Sequence, residues 1–146
     1  MSAEIPLARH LSIVLRHHYA TMNEQVRPLG LFVAQVPILL RLSAGQNVTQ
    51  ESLARHFHFD KGAVARAARG LEEAGLIRRE TDPSDRRAVR LFLTRAGEAL
   101  VPEIRRIERE WEARVMADLR PDERDAFCSL LGRVAASCLD GRDCRE

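Results

Sequence analysis

Thr49-Gln50-Glu51-Ser52-Leu53-Ala54-Arg55-His56-Phe57, followed after two residues by Asp60-Lys61-Gly62-Ala63-Val64-Ala65-Arg66-Ala67-Ala68-Arg69-Gly70-Leu71-Glu72-Glu73-Ala74-Gly75, decides the fold. Thr49 can cap a helix over 50–57, because its side-chain oxygen can satisfy an orphan amide of the first turn. Val48 before that cap and Leu53 after it are spaced as a hydrophobic staple. Asp60 can cap a second helix over 61–74, and Phe59 with Val64 repeats the staple. Gly75 supplies the left-handed residue that ends it. Two capped helices with only His58 and Phe59 between them make a helix-turn-helix unit.

In projection at about 100° per residue, Val64, Ala67, Ala68, Leu71 and Gly75 share the side expected to face the core. Gly62, Arg66, Arg69, Gly70 and Glu73 fall opposite, with Lys61 and Ala63 at the open N-terminal end. The front of the helix is small or basic and its acids, Glu72 and Glu73, sit at the back. Such a helix suits entry into a major groove N-terminus first. Gly62 and Ala63 allow close approach, Lys61 lies near phosphate, and Arg66 and Arg69 can bond bidentately to guanine. An ordinary amphipathic helix with a solvated basic face is the competing reading.

The residues after Gly75 tilt that balance. The stretches 76–80 and 88–93 are strand-like, with Val89, Leu91 and Leu93 alternating with Arg90 and Phe92. Between them Thr81-Asp82-Pro83-Ser84-Asp85-Arg86-Arg87 is a turn ending in paired arginines. A projecting hairpin tipped with arginine fits a minor groove, whose narrow stretches concentrate negative potential. The expectation is that Arg87 enters that groove, Arg86 meets the backbone, and Asp85 orients an arginine, Arg87 or Arg69.

Thr49 to Ala54, Asp60-Lys61-Gly62 and Leu71-Glu72-Glu73-Ala74-Gly75-Leu76-Ile77 together resemble the winged helix of MarR-type (multiple antibiotic resistance regulator) transcription regulators. So do Asp82-Pro83-Ser84-Asp85-Arg86-Arg87 and Leu93-Thr94-Arg95-Ala96-Gly97, and, further out, Pro28-Leu29-Gly30-Leu31 and Gln35. The resemblance covers nearly the whole chain, and its most specific part is the wing, with Asp85 and Arg87 flanking one residue. His58 departs from the pattern, standing where many members carry glycine; histidine tolerates positive φ better than most residues. The resemblance implies a repressor relieved by a ligand, with His17 and Phe32 near a cleft that takes a small aromatic or anionic effector.

The chain has 146 residues, a single-domain length. Net charge is only +2, but residues 49–95 hold ten basic side chains against seven acidic, a surplus of three that leaves the remainder at −1. Around this unit the first helix, from near Pro6 to about Val26, carries Leu7, Leu11, Val14, Leu15, Met22 and Val26. A second begins near Val33 or Ala34, because Pro37 is tolerated only in a first turn. Thr94 caps a long helix carrying Leu100, Val101, Ile104, Ile107, Trp111, Val115 and Leu119, which Pro102 should kink; Trp111 reads as core. The last helix starts at Pro121, presents Phe127, Leu130, Leu131, Val134 and Cys138, and ends near Asp140-Gly141, with the tail frayed. The organisation expected is one domain, 1–146, mostly α. A winged helix-turn-helix with a small β-hairpin wing occupies 33–95, and long dimerisation helices occupy 5–30 and 96–140. Apolar stripes longer than a small winged unit can cover imply a homodimer, and two-fold dimers read palindromic duplex DNA.

Other chemistries find no support in the sequence. His10, His17, His18, His56 and His58 lack carboxylate or thiolate company at ligand spacing, so no metal is expected. No phosphate-cradling glycine loop or nucleophile elbow is present, so neither catalysis nor a cofactor is expected. Cys128, Cys138 and Cys144 are too few and too C-terminal for a disulfide framework. No apolar run reaches a membrane span and no signal pattern opens the chain, so a cytoplasmic protein with reduced thiols is expected. A protein-binding winged module using the same basic face is the alternative to DNA binding.

Overall fold

The computed structural model describes residues 6–45 and 47–139, which fall into two units, one up to Arg109 and one from Glu110. In the first, α1 (Leu7–Val26) follows Pro6, which is extended and stands just outside the helix rather than in its first turn. A short 3-10 turn at Arg27–Leu29 closes on Gly30, held at φ 77°. A second 3-10 turn, Val33–Gln35, leads into α2 (Val36–Ala44), with Pro37 in the opening turn, where its missing N–H costs nothing. Next come β1 (Val48–Thr49), α3 (Gln50–Phe57), α4 (Lys61–Glu73), β2 (Ile77–Thr81), β3 (Val89–Leu93) and α5 (Arg95–Val115).

The sheet has three antiparallel strands in the order β1-β3-β2, so the expected hairpin gains an edge strand. Val48 lies opposite Leu91, and Leu91 opposite Arg79. Thr49 therefore ends β1 and caps α3 at once, its hydroxyl accepting from the Ser52 amide at 3.0 Å. Thr94 repeats the economy, donating to the Gly75 carbonyl at 2.6 Å and accepting from the Gly97 amide at 3.2 Å.

The core joins α1, α2, the helix-turn-helix, the sheet and the first half of α5 through Met22, Ile38, Leu39, Leu53, Leu71 and Ile104, all essentially inaccessible. Burying such a side chain contributes about 1.5–3 kcal/mol. On α4 the buried residues are Val64, Ala68 and Leu71, while Ala67 is half-buried and Gly75 exposed. Gly70, expected on the outer face, instead backs onto Gln35: a Cβ there would come within 2.8 Å of Gln35 Nε2. Gln35 is buried, accepting from the Phe32 amide at 2.9 Å and donating to the Ala67 carbonyl at 3.5 Å.

In the second unit α5 ends at Val115 and α6 spans Pro121–Leu139. Leu119, expected on the long helix, lies in the turn between them. Trp111, expected in the core, is half-buried, and Val115 is exposed. Pro121 opens α6, with Asp122 and Glu123 in its first turn, and Glu123 accepts from the Arg120 amide at 2.9 Å. Phe127, Leu130 and Val134 are each about half exposed, at 48%, 56% and 47%. Residues 140–146, with the expected end of the last helix, the tail and Cys144, lie outside the described residues.

Candidate nucleic-acid interface

The turn between α3 and α4 is built on His58, in the left-handed region at φ 53° and ψ 38°. That conformation lets the Phe59 amide reach the Ala54 carbonyl at 3.0 Å and satisfies an orphan group at the end of α3. Phe57 and Phe59 stack across it with ring centroids 5.5 Å apart. Asp60 then caps α4, its carboxylate accepting from the Ala63 amide at 3.0 Å. Gly62 leaves the room this needs, since a Cβ there would sit 2.9 Å from the Asp60 Oδ2 and 3.3 Å from an Arg66 nitrogen.

At the N-terminal end of α4, Lys61 lies 3.6 Å from Glu51 in a solvent-exposed pair. Such a pair is worth little and is readily exchanged for a phosphate. Arg66 and Arg69 stand exposed on the same helix, and Arg86 and Arg87 on the hairpin tip. None of these four has an acidic side chain within 4.0 Å among the described residues. The arginines closer to the sheet are spent internally: Arg78 on Glu80, Arg79 on Glu72, Arg90 on Asp82. A groove of about 210 Å³, lined by Gln50, Glu51, Lys61, Arg87, Ala88 and Val89, brings Lys61 and Arg87 to one place.

The hairpin tip is organised by its acids. Asp82 accepts from the Ser84 hydroxyl at 2.7 Å and amide at 2.9 Å, and pairs with Arg90 at 2.9 Å. These donors, the Ser84 hydroxyl foremost, hold its carboxyl below the usual carboxylate range. Asp85 accepts from the Arg87 backbone N–H at 3.0 Å, and its own carbonyl accepts from the Ala88 amide at 2.9 Å. The sequence leads to the expectation that Asp85 orients an arginine, Arg87 or Arg69. The structure has it hold the main chain of Arg87, a local Asx bond that leaves the guanidinium uncommitted.

His17 and Phe32 are both exposed, Phe32 at 69%, and neither lines the large cleft of the first unit. That cleft, about 890 Å³, lies between the C-terminal end of α2, the sheet and α5, with Ser43, Arg78, Phe92, Glu98 and Arg105 on its walls. Nothing in the sequence pointed to the bonds joining Arg79 to Glu72, seven residues back, and to Gln50, 29 residues back, which depend on the two helices and β2 meeting. The Asp82–Ser84 turn was open to anticipation, since Asp two residues before Ser is a turn-forming pair. No group of three or more metal-ligating side chains occurs among the described residues, and no single helix there is long and apolar enough to cross a membrane.

The family model for the MarR family matches residues 33–89. Among solved structures, one of a protein named MarR is 41% identical, with a TM-score of 0.89 over 97% of each chain. A MarR transcriptional regulator from Methanosarcina mazei Go1 is 29% identical, with a TM-score of 0.88 over 92% of this chain and 96% of that one. A MarR family transcriptional regulator from Listeria monocytogenes, complexed with 26mer DNA, shares the fold at 24% identity and TM-score 0.86, over 93% and 91% of the two chains.

Proposed function

We propose, since this chain belongs to the MarR family and is a transcription regulator rather than an enzyme, that it is a homodimer binding a palindromic operator in double-stranded DNA. The observation that carries this is the sorting of its arginines. Those at the sheet base are paired with acids, whereas Arg66, Arg69, Arg86 and Arg87, on the reading helix and the wing, are exposed and have no ion pair within 4.0 Å among the described residues. Unpaired arginine at such positions gains from phosphate and base edges with no ion pair to break first. In this reading α4 enters the major groove, Arg66 and Arg69 read bases, Lys61 meets phosphate, and Arg87 enters the minor groove beside Arg86 on the backbone. The Listeria relative's complex with DNA supports the same use of the fold. Exposed leucines and valines on α1 and α6 support a dimer.

Repression is the mode of action in this reading, relieved when a small anionic or aromatic effector binds and changes the spacing of the two reading heads. Reciprocal coupling of about 1–3 kcal/mol would suffice. Selection of bound duplexes from a random pool, followed by a salt titration, tests the reading. A palindrome should be enriched, and log affinity should fall linearly with log salt, with a slope near −0.9 per phosphate contacted. Arg66→Ala and Arg69→Ala should each cost ~1–3 kcal/mol and relax preference at one base pair, whereas a Lys61 substitution should weaken all sequences alike. Enrichment of no duplex, with capture of a protein through the same arginines, would favour the protein-binding alternative.

A further inference from the structure

We infer that Arg79 is a positioning residue that fixes the angle of the wing to the reading helix, an inference that rests on the DNA-binding reading above. Arg79 lies at the middle of β2, and three contacts run from it to the helix-turn-helix. Its backbone N–H donates to Glu72 Oε2 at 3.2 Å, its Nη1 lies 3.7 Å from Glu72 Oε1, and its Nε donates to Gln50 Oε1 at 3.0 Å. Glu72 is in the last turn of α4, and Gln50 is the first residue of α3. One side chain therefore holds the beginning of one helix, the end of the other, and the strand that carries the wing.

The Arg79 side chain is 24% exposed and that of Glu72 43%, so the clip is partly shielded from solvent at its arginine end. Arg79 also sits opposite Leu91, which lies opposite Val48, so the clip closes on the part of the sheet where all three strands meet. Beyond the next row, where Glu80, Arg90 and Thr49 pair, the hairpin has only the β2–β3 ladder. Five residues at about 3.3 Å each reach roughly 17 Å, so a rotation of about 10° at the base displaces the tip by about 3 Å. That is enough to lift a guanidinium from a groove floor. Gln50, held by Arg79, also lines the groove that contains Lys61 and Arg87, so the clip sets the shape of that groove directly. Neighbouring Arg78 is the natural contrast, because it pairs with Glu80 and lies over the Phe92 ring at 5.1 Å, contacts confined to the hairpin.

The test uses duplexes selected by the wild-type chain, with the half-sites kept and the flanks made A·T-rich or G·C-rich. Arg79→Met should stay folded by circular dichroism and lose the preference for A·T-rich flanks by roughly tenfold, the loss also expected of Arg87→Ala. Adding Arg79→Met to Arg87→Ala should lower that preference no further, because both act through one contact. Arg78→Met should leave it unchanged. Should Arg79→Met fail to fold, Arg79→Lys keeps a charge near Glu72 but lacks the Nε donor, and the same loss is expected. A folded variant with intact flank preference, a loss additive with Arg87→Ala, or an equal loss in Arg78→Met overturns the inference. If the wild type enriches no duplex, the DNA reading fails and the clip is tested by itself. Nitroxide labels at Ser84 and Glu73, in a chain with Cys128, Cys138 and Cys144 replaced by serine and diluted with unlabelled chain, report the wing-to-helix distance. A distribution that is narrow in wild type and broad in Arg79→Met supports the clip, and an unchanged one overturns it.

Discussion

At the scale of single residues, the wing tip sets an acid beside an arginine proposed to contact DNA. Asp85 stands beside the arginine proposed to enter the minor groove, and Coulomb's law alone makes it a nuisance there. Its carboxylate, however, accepts from the Arg87 amide at 3.0 Å and so shapes the main chain that carries the guanidinium. Asp85→Ala should therefore weaken operator binding, by about 0.5–1.5 kcal/mol, the range of one exposed hydrogen bond that orders a loop. Asp85→Asn keeps an acceptor and removes the charge, so it should bind at least as well as wild type. Uniformly tighter binding by Asp85→Ala, measured by fluorescence anisotropy, would reduce the residue to a stray charge. Asp82 makes a second prediction, for pH. Folding lowers its pKa, chiefly through the Ser84 hydroxyl and then the Ser84 amide and Arg90, so the stabilisation is complete above the usual value of 3.8. It is lost as pH falls from there through the lowered value. The Ser84 and Arg90 amide resonances should shift together in that acid window and stay still in Asp82→Asn. Shifts centred well above the usual value would contradict the assignment.

At the scale of elements, what was legible in the sequence was whatever a short window determines. Caps at Thr49 and Asp60, the stop at Gly75 and the strand alternation near Leu91 all act within a few residues, and each appears in place. The two-residue strand β1 was illegible because its existence depends on Leu91 arriving from far along the chain. Gly70 was misplaced for the same kind of reason: an ideal projection cannot know that Gln35 packs against that side of α4. Of the candidate site, the exposure of the helix and wing arginines was readable from spacing, whereas the bonds of Arg79 needed the sheet. His58 and Gly97 permit opposite tests of backbone geometry. His58 holds a left-handed conformation that costs a side chain about 1 kcal/mol, partly offset by the entropy glycine loses on folding. His58→Gly should thus be neutral to mildly stabilising in denaturant unfolding; a loss above about 1 kcal/mol would mean that the imidazole itself contributes. Gly97 is buried in α5, where an added Cβ would fall 2.1 Å from the Leu76 carbonyl oxygen, a main-chain atom that cannot swing aside. Gly97→Ala should therefore destabilise by about 1–3 kcal/mol through overpacking. An unchanged melting temperature would show that the main chain at Leu76 and α5 can separate freely.

At the scale of the whole molecule, the balance of covered and uncovered apolar surface is the ground for the proposed homodimer. The stripe on α1 is buried only at Met22 and Val26, while Leu7, Leu11, Val14 and Leu15 are between 42% and 63% exposed. On α6 no residue is buried, and Phe127, Leu130, Leu131 and Val134 are all exposed. Single exposed apolar side chains are ordinary, but runs at helical spacing on two helices are not. Covering them with a second copy would remove four to five large side chains per helix from water, each contributing up to about 1.5–3 kcal/mol before the cost of association. A dimer built this way has no need of net charge, in keeping with a chain at only +2. It would also place two basic reading heads in one molecule, so that the proposed palindromic operator would be engaged twice. Leu130→Glu puts a charge in the middle of the α6 stripe, and in a dimer that charge would be buried unpaired, at a cost of several kcal/mol. The expected result is a sedimentation coefficient falling from dimer to monomer at micromolar concentration, with an unfolding midpoint that no longer rises with protein concentration. Binding to a full palindrome should fall to that of a single half-site, because the second head is no longer tethered. Leu11→Glu on α1 should do the same. A wild-type chain sedimenting as a well-folded monomer, or a Leu130→Glu chain that remains dimeric and keeps its operator affinity, would remove α6 from the interface and require another explanation for its uncovered face.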